Sequence, residues 1–139
     1  MHRGDQRKRH DQRGAAAVEF AIIAPVLFML VFGIIEFGLA WSEKNVFVGA
    51  AREGARYAAV GCGDGVCAAG EVAGRVEAAA VGYEIDGPIA VVPDPGCSTD
   101  DPSTDVSVSW QQDFVIDIPF IPTITLDNVD IEAVFRCEY

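Results

Sequence analysis

The sequence has almost no histidine and very little lysine. Only His2 and His10 are histidines, and only Lys8 and Lys44 are lysines, in a chain of 139 residues. If the N-terminal tail is removed from the mature protein, no histidine is left to activate a serine or cysteine nucleophile. The sequence also lacks a G-x-S-x-G, a P-loop and an H-E-x-x-H motif. These absences argue against an enzyme, and we expect no cofactor and no small-molecule substrate.

Basic residues are also scarce outside the first fourteen positions. Residues 1–14 carry five basic and two acidic side chains, a net charge of +3, whereas residues 42–139 carry five basic and 17 acidic ones, a net charge of −12. An acidic body repels phosphates, so no nucleic-acid partner is expected. A basic segment before an apolar one stays cytoplasmic. The sequence therefore predicts a basic cytoplasmic leader, residues 1–14, and an extracytoplasmic body.

A long apolar segment follows the leader. Between residues 15 and 41 the only charges are Glu19 and Glu36. The uncharged part, residues 20–35, is about 24 Å long as a helix, against about 30 Å for the hydrocarbon layer. The two glutamates therefore lie near the two faces of a single membrane span, which Pro25 is predicted to kink. The helix is expected to continue to residue 60, because apolar residues recur there at three- and four-residue steps: Val46, Phe47, Ala50, Ala51, Ala55, Ala58 and Ala59.

The remaining residues, 61–139, predict a small α+β head. A short second helix is expected at 68–82, and strands at 89–93, 104–110, 113–118 and 129–139, from the alternation of apolar and polar residues. Prolines 119 and 122 separate the last strands. The predicted fold class is thus a long N-terminal transmembrane helix followed by a head with a short helix and an antiparallel β-sheet.

Disulfides are expected to stabilise this head, since it is small and extracytoplasmic. Four cysteines allow three connectivities. The glycines of "CGDGVC" favour a tight Cys62–Cys67 loop, which leaves Cys97 and Cys137 as the second pair. The cysteine spacing argues against zinc. A solvated loop is favoured over a calcium site for the acidic segment 94–105, so no metal is expected.

Glu19 is the most informative residue. A carboxylate in a membrane helix costs about 2.5–3.5 kcal/mol, so such groups usually have a partner. Arg13 is six residues away and poorly placed on a helix. Cleavage after Gly14 would instead create a charged amine on Ala15, and Glu19 of one subunit could neutralise the Ala15 amine of a neighbour.

The segments "RGAAAVEFAIIAPVLFMLVFGIIEFGLAW" and "AAREGARYAAV" resemble the TadE-like family, whose members are minor pilins or pseudopilins of the tight-adherence (Flp pilus) system. Gly14, followed by Glu19 and Phe20, resembles a type IV prepilin signal. The resemblance implies processing between Gly14 and Ala15 by a prepilin peptidase, subunit contacts through Glu19 and Phe20, and other pilin subunits and the secretion machinery as partners. A substantial head implies a minor rather than a major subunit.

Two other hypotheses remain open at this stage. The chain could be an uncleaved single-pass membrane protein whose disulfide-stapled head binds an envelope partner. It could also be a secreted domain released after Ala40, because "GLA" at 38–40 provides small residues for a signal-peptide cleavage site. The length of the apolar segment argues against secretion. The N-terminus of the native protein, Met1, Ala15 or Trp41, distinguishes the three hypotheses.

Overall fold

The computed structural model of the protein describes residues 5–61, 67–68, 70–94, 96–97 and 105–137, with side chains from residue 14 onward. Helix α1 (Asp5–Arg56) leads through a π-helical turn (Tyr57–Gly61) to helix α2 (Glu71–Ala79) and strands β1 (Ala90–Val92), β2 (Asp105–Ile116) and β3 (Ile124–Arg136). The strands form one antiparallel sheet in the order β1-β2-β3. Together with the Cys97–Cys137 disulfide, this arrangement confirms the predicted α+β fold class.

Helix α1 is the longest element of the fold. Its 52 residues correspond to about 78 Å of helix. It begins at Asp5, within the leader, whereas the sequence placed its start at Ala15. Arg, Lys and Gln have good helix propensity, and extending an existing helix avoids the cost of nucleation. Pro25 lies inside α1 without ending it, as membrane helices allow.

The head packs on the C-terminal half of α1. The alanine face predicted from the sequence is buried there, and Phe47 is the largest residue of this face. The Phe47 ring lies at the centre of an aromatic cluster, with ring centroids 5.8 Å from Tyr83, 6.2 Å from Trp110 and 6.0 Å from Phe114. Small side chains let the sheet approach the helix closely, and Phe47 fills the wider space next to the strands.

Helix α2 lies against α1 at Gly54. A Cβ atom at position 54 would overlap the Val76 side chain. Val76 is fully buried, and it forms the core-facing side of α2 with Val72. Because Gly54 has no side chain, Val76 can pack directly against the backbone of α1.

Strand β2 is longer than the sequence indicated. The two predicted strands at 104–110 and 113–118 form one strand, and an irregularity between Gln112 and Phe114 shifts its register with β3. The extra residue of this bulge lies on β3, because Asp113 alone faces both Asp127 and Asn128. The buried positions of β2 therefore keep their alternation from Val106 through Phe114. The predicted inward face of Val106, Val108 and Trp110 is buried.

Candidate assembly site on the N-terminal helix

The part of α1 from residue 14 to residue 41 is apolar and mostly uncovered. Of its most apolar 18-residue window, 6% is buried against the rest of the chain. Exposed large hydrophobic side chains surround the helix from Val18 to Trp41. A helix that is hydrophobic all round needs an apolar environment. Among the described elements, α1 is the one that is long and apolar enough to cross a membrane.

The predicted assembly residues lie at the beginning of this apolar part. Gly14, Ala15, Glu19 and Phe20 are all exposed on continuous helix. Residues 15 and 19 are one turn apart, so they lie on the same side of the helix and about 6 Å apart along its axis. No heavy atom lies within 4 Å of the position that a Cβ on Gly14 would occupy, apart from the neighbouring helix itself. The segment is therefore uncovered by the rest of the described chain.

Glu36, the second glutamate of the apolar segment, is half-buried. It lies 17 residues after Glu19, which places the two carboxylates about 25 Å apart along the axis and about 100° apart around it. They do not form a dyad. Glu19 and Glu36 instead mark the two ends of the uncharged part of the helix.

The disulfide lies at the far end of the head from this site. Cys97 is bonded to Cys137, which directly follows β3. The Cys97 backbone N–H donates to the Ala58 carbonyl at 3.2 Å, so the bridge also holds the head on the end of the helical segment. Cys67 is itself disulfide-bonded. The predicted partner of Cys67, Cys62, lies outside the described residues.

A polar cluster joins the π-helical turn to α2. The Tyr57 hydroxyl donates to Glu71, and the Ala68 backbone N–H donates to the same carboxylate at 3.1 Å. These hydrogen bonds, the one from Tyr57 first, lower the pKa of Glu71 because they favour its charged form. The Arg75 guanidinium lies 5.3 Å from the centre of the Tyr57 ring. This cluster fixes the start of α2 on the end of the long helix.

A second polar network lies between β2 and the segment before β1. Gln112 is 3% exposed, and its amide oxygen accepts from Trp110 Nε1 and from the Asp86 backbone N–H, each at 3.3 Å. Its amide nitrogen donates to the Asp86 carboxylate and to the Glu84 carbonyl. An open cavity of about 450 Å³ beside it is lined partly by Asp86, Asp113 and Asp130.

Within the described part of the chain, no group of three or more His, Cys, Asp or Glu side chains is placed to hold a metal ion. Of the acidic loop considered for calcium, Asp100 and Asp101 lie outside the described residues.

Three features were not found by reasoning from the sequence. Gly54 lies in a run of small residues, and this run could have predicted that another helix packs closely there. The Gln112 network had no signal, since a glutamine in a strand is ordinarily exposed. The third feature is the apolar turn between β2 and β3, where "IPFIP" at 118–122 is unusually hydrophobic for a turn.

The architecture fits a single-pass membrane protein: one apolar helix and a folded head packed on its continuation. The model of the TadE-like protein family matches residues 14–56. This match confirms the resemblance that the sequence analysis stated for the helical segment. The matched segment ends at the last residue of α1. No curated protein and no solved structure matches the chain.

Proposed function

We propose that the protein is a minor pilin or pseudopilin that a prepilin peptidase cleaves after Gly14, and that it acts in the assembly of a tight-adherence (Flp-type) pilus. The observation that carries the proposal is the position of Glu19. It lies on the exposed, uncovered part of α1, five residues after Gly14, within the segment that matches the TadE-like family.

Cleavage makes the carboxylate tolerable. An unpaired Glu19 near the inner face of the membrane costs about 2.5–3.5 kcal/mol. An amine at 4 Å returns about 4 kcal/mol at an effective dielectric constant of 20, which is of the same order as the cost of the carboxylate. In the proposed assembly, the amine belongs to Ala15 of an adjacent subunit, so the pair also fixes the axial offset between neighbouring helices.

The basic leader orients the chain before cleavage. It holds the N-terminus in the cytoplasm, and the acidic head is then extracytoplasmic. Removal of the leader eliminates five basic side chains next to the future subunit contact. Cleavage thus both creates the amine and removes the repulsion between the leaders of adjacent subunits.

Intact-mass measurement of the protein from its native membrane tests the cleavage. The expected chain starts at Ala15. Gly14→Val should block processing, because a branched side chain then occupies the position before the scissile bond, whereas Ala17→Val should be processed normally. An intact N-terminus in the native protein would support the uncleaved membrane-anchored alternative and would remove the proposed amine.

Substitution of Glu19 tests the charge pair separately. Glu19→Ala and Glu19→Gln should be cleaved normally but should fail to enter sheared pili, whereas Glu19→Asp should retain partial incorporation. Immunoblots of membrane and pilus fractions measure both properties. Normal incorporation of Glu19→Gln would disprove a role for the negative charge, whatever the N-terminus proves to be.

A further inference from the structure

The β2–β3 hairpin extends beyond the head and along α1. Near the top of the hairpin, a Cβ on Gly54 would lie 3.7 Å from Val108 Cγ1. Further down, Trp110 and Phe114 contact Phe47. At the tip, a Cβ on Gly33 would lie 3.7 Å from Ile118 Cδ1. Strand β2 therefore runs antiparallel to α1 and reaches into the level of its apolar segment.

The depth of the tip follows from helix geometry. Gly33 lies three residues before Glu36, the charge that marks the outer end of the uncharged segment, and so about 5 Å inside it. Ile118 lies beside Gly33, at the same depth. Interfacial elements typically bury their apolar faces about 5–10 Å into the headgroup and acyl boundary. When α1 spans a bilayer, the tip thus lies within the outer leaflet.

The composition of the tip suits this depth. Phe120 is 88% exposed, and its φ of 71° is in the left-handed region that bulky residues rarely adopt. The side chains above it on both strands are also apolar and exposed: Val115, Ile124 and Leu126. The acid at the tip, Asp117, accepts a hydrogen bond from Thr123 Oγ1 at 3.4 Å across the base of the turn. Asp117 lies one residue before Ile118 and is therefore closer to the lipid headgroups.

We infer that the hairpin tip, residues 117–123, inserts into the outer leaflet of the membrane that α1 spans, with Phe120 in contact with lipid acyl chains. An exposed apolar patch marks an interaction surface. Lipid is the occupant that the geometry selects, because the patch is continuous with the apolar surface of α1 and lies at the depth of that surface. The protein would then contact the membrane both through α1 and through the hairpin tip, and the two contacts would fix the tilt of the head relative to the membrane. The inference rests on α1 being membrane-spanning, and it does not require cleavage or pilus assembly.

Photocrosslinking tests this contact. The full chain carries benzoylphenylalanine at position 120 and is reconstituted at high lipid excess in vesicles of phosphatidylethanolamine and phosphatidylglycerol. Position 28 is the positive control, since Phe28 lies on the apolar part of α1. Position 134 is the matched negative control, because Val134 is 55% exposed near the opposite end of the same hairpin. Near-UV circular dichroism confirms that each variant retains the packed aromatic cluster.

Mass spectrometry should find lipid adducts at position 120 at a level close to that at position 28 and about five-fold or more above that at position 134, as expected for a group in acyl chains rather than in water. A protein adduct at position 120, or no adduct, would overturn the insertion while leaving the membrane anchor intact if position 28 still labels lipid. Failure at position 28 would instead refute the anchor, and the insertion with it.

Discussion

Replacing Gly54 by alanine tests whether the head and the long helix form one packed unit. The added methyl group would overlap Val76 Cγ2, so α2 must move by about 1 Å to restore ordinary contact distances. Overpacking of this kind costs about 1–3 kcal/mol, and the better helix propensity of alanine returns up to about 1 kcal/mol. We therefore expect a net loss of about 1–2 kcal/mol, and a melting temperature lower by about 5–15 °C for a head of this size.

The assay is thermal unfolding of the full chain in mild detergent, followed by near-UV circular dichroism of the Phe47 cluster. Gly49→Ala is the matched control. It lies on the same helix with nothing within 4 Å of its added methyl, so it should raise the stability by about 0.5–1 kcal/mol. Adding Val76→Ala to the Gly54 variant should relieve the overlap, which a double-mutant cycle measures as coupling. If Gly54→Ala proves as stable as Gly49→Ala, the described contact between α1 and α2 is wrong.

Two further predictions concern the polar networks. Gln112→Leu should lower the free energy of unfolding by about 2 kcal/mol, because Trp110 Nε1 and Asp86 lose their hydrogen-bond partner. Gln111→Leu, at the exposed neighbouring position, should change it by less than about 0.5 kcal/mol. Equal losses for the two variants in urea titrations would refute the network. Because the folded pKa of Glu71 is lowered, its stabilising effect is complete above the unfolded pKa of about 4.3 and is lost as the pH falls through the folded pKa. Glu71→Gln should therefore destabilise the head at pH 7 but not at acidic pH. A loss of stability that does not depend on pH, or an equal loss in the charge control Glu77→Gln, would contradict the stabilising role of the Glu71 carboxylate.

The long helix and its packing face could be derived from the sequence because each depends on local periodicity. The spacing of Phe47, Ala50 and Ala51 is a property of the segment itself, and burial follows it closely. The inward face of β2 was predicted for the same reason. The Cys97–Cys137 bridge followed from the number of cysteines and from the short loop favoured for the other pair.

Features that depend on distant residues could not be derived in this way. The two predicted strands form one continuous β2 because both segments pair with β3, and the bulge between Gln112 and Phe114 is defined by that pairing rather than by the β2 sequence. The requirement for glycine at position 54 depends on Val76, more than 20 residues later. The apolar turn around Phe120 was treated only as a break between strands, because its closeness to Gly33 arises from the way the hairpin lies along the helix.

At the candidate assembly site, the prediction for Glu19 came from the cost of an isolated charge together with the family resemblance. The structure adds that this segment is uncovered by the rest of the chain. The Ala15 amine of a neighbouring subunit, as the partner of Glu19, stays a prediction.

The absence of a hinge between the apolar segment and the head has a mechanical consequence. Helix α1 runs without interruption from the membrane-facing residues into the core of the head. A torque or a pull applied to the lower part of the helix is therefore transmitted directly to the outer domain. If neighbouring helices stack with a defined offset, the heads must repeat with the same rise and rotation. The arrangement of the heads on the surface of such an assembly would then be determined by the register of the helices at its centre. The heads would have little freedom to change that arrangement.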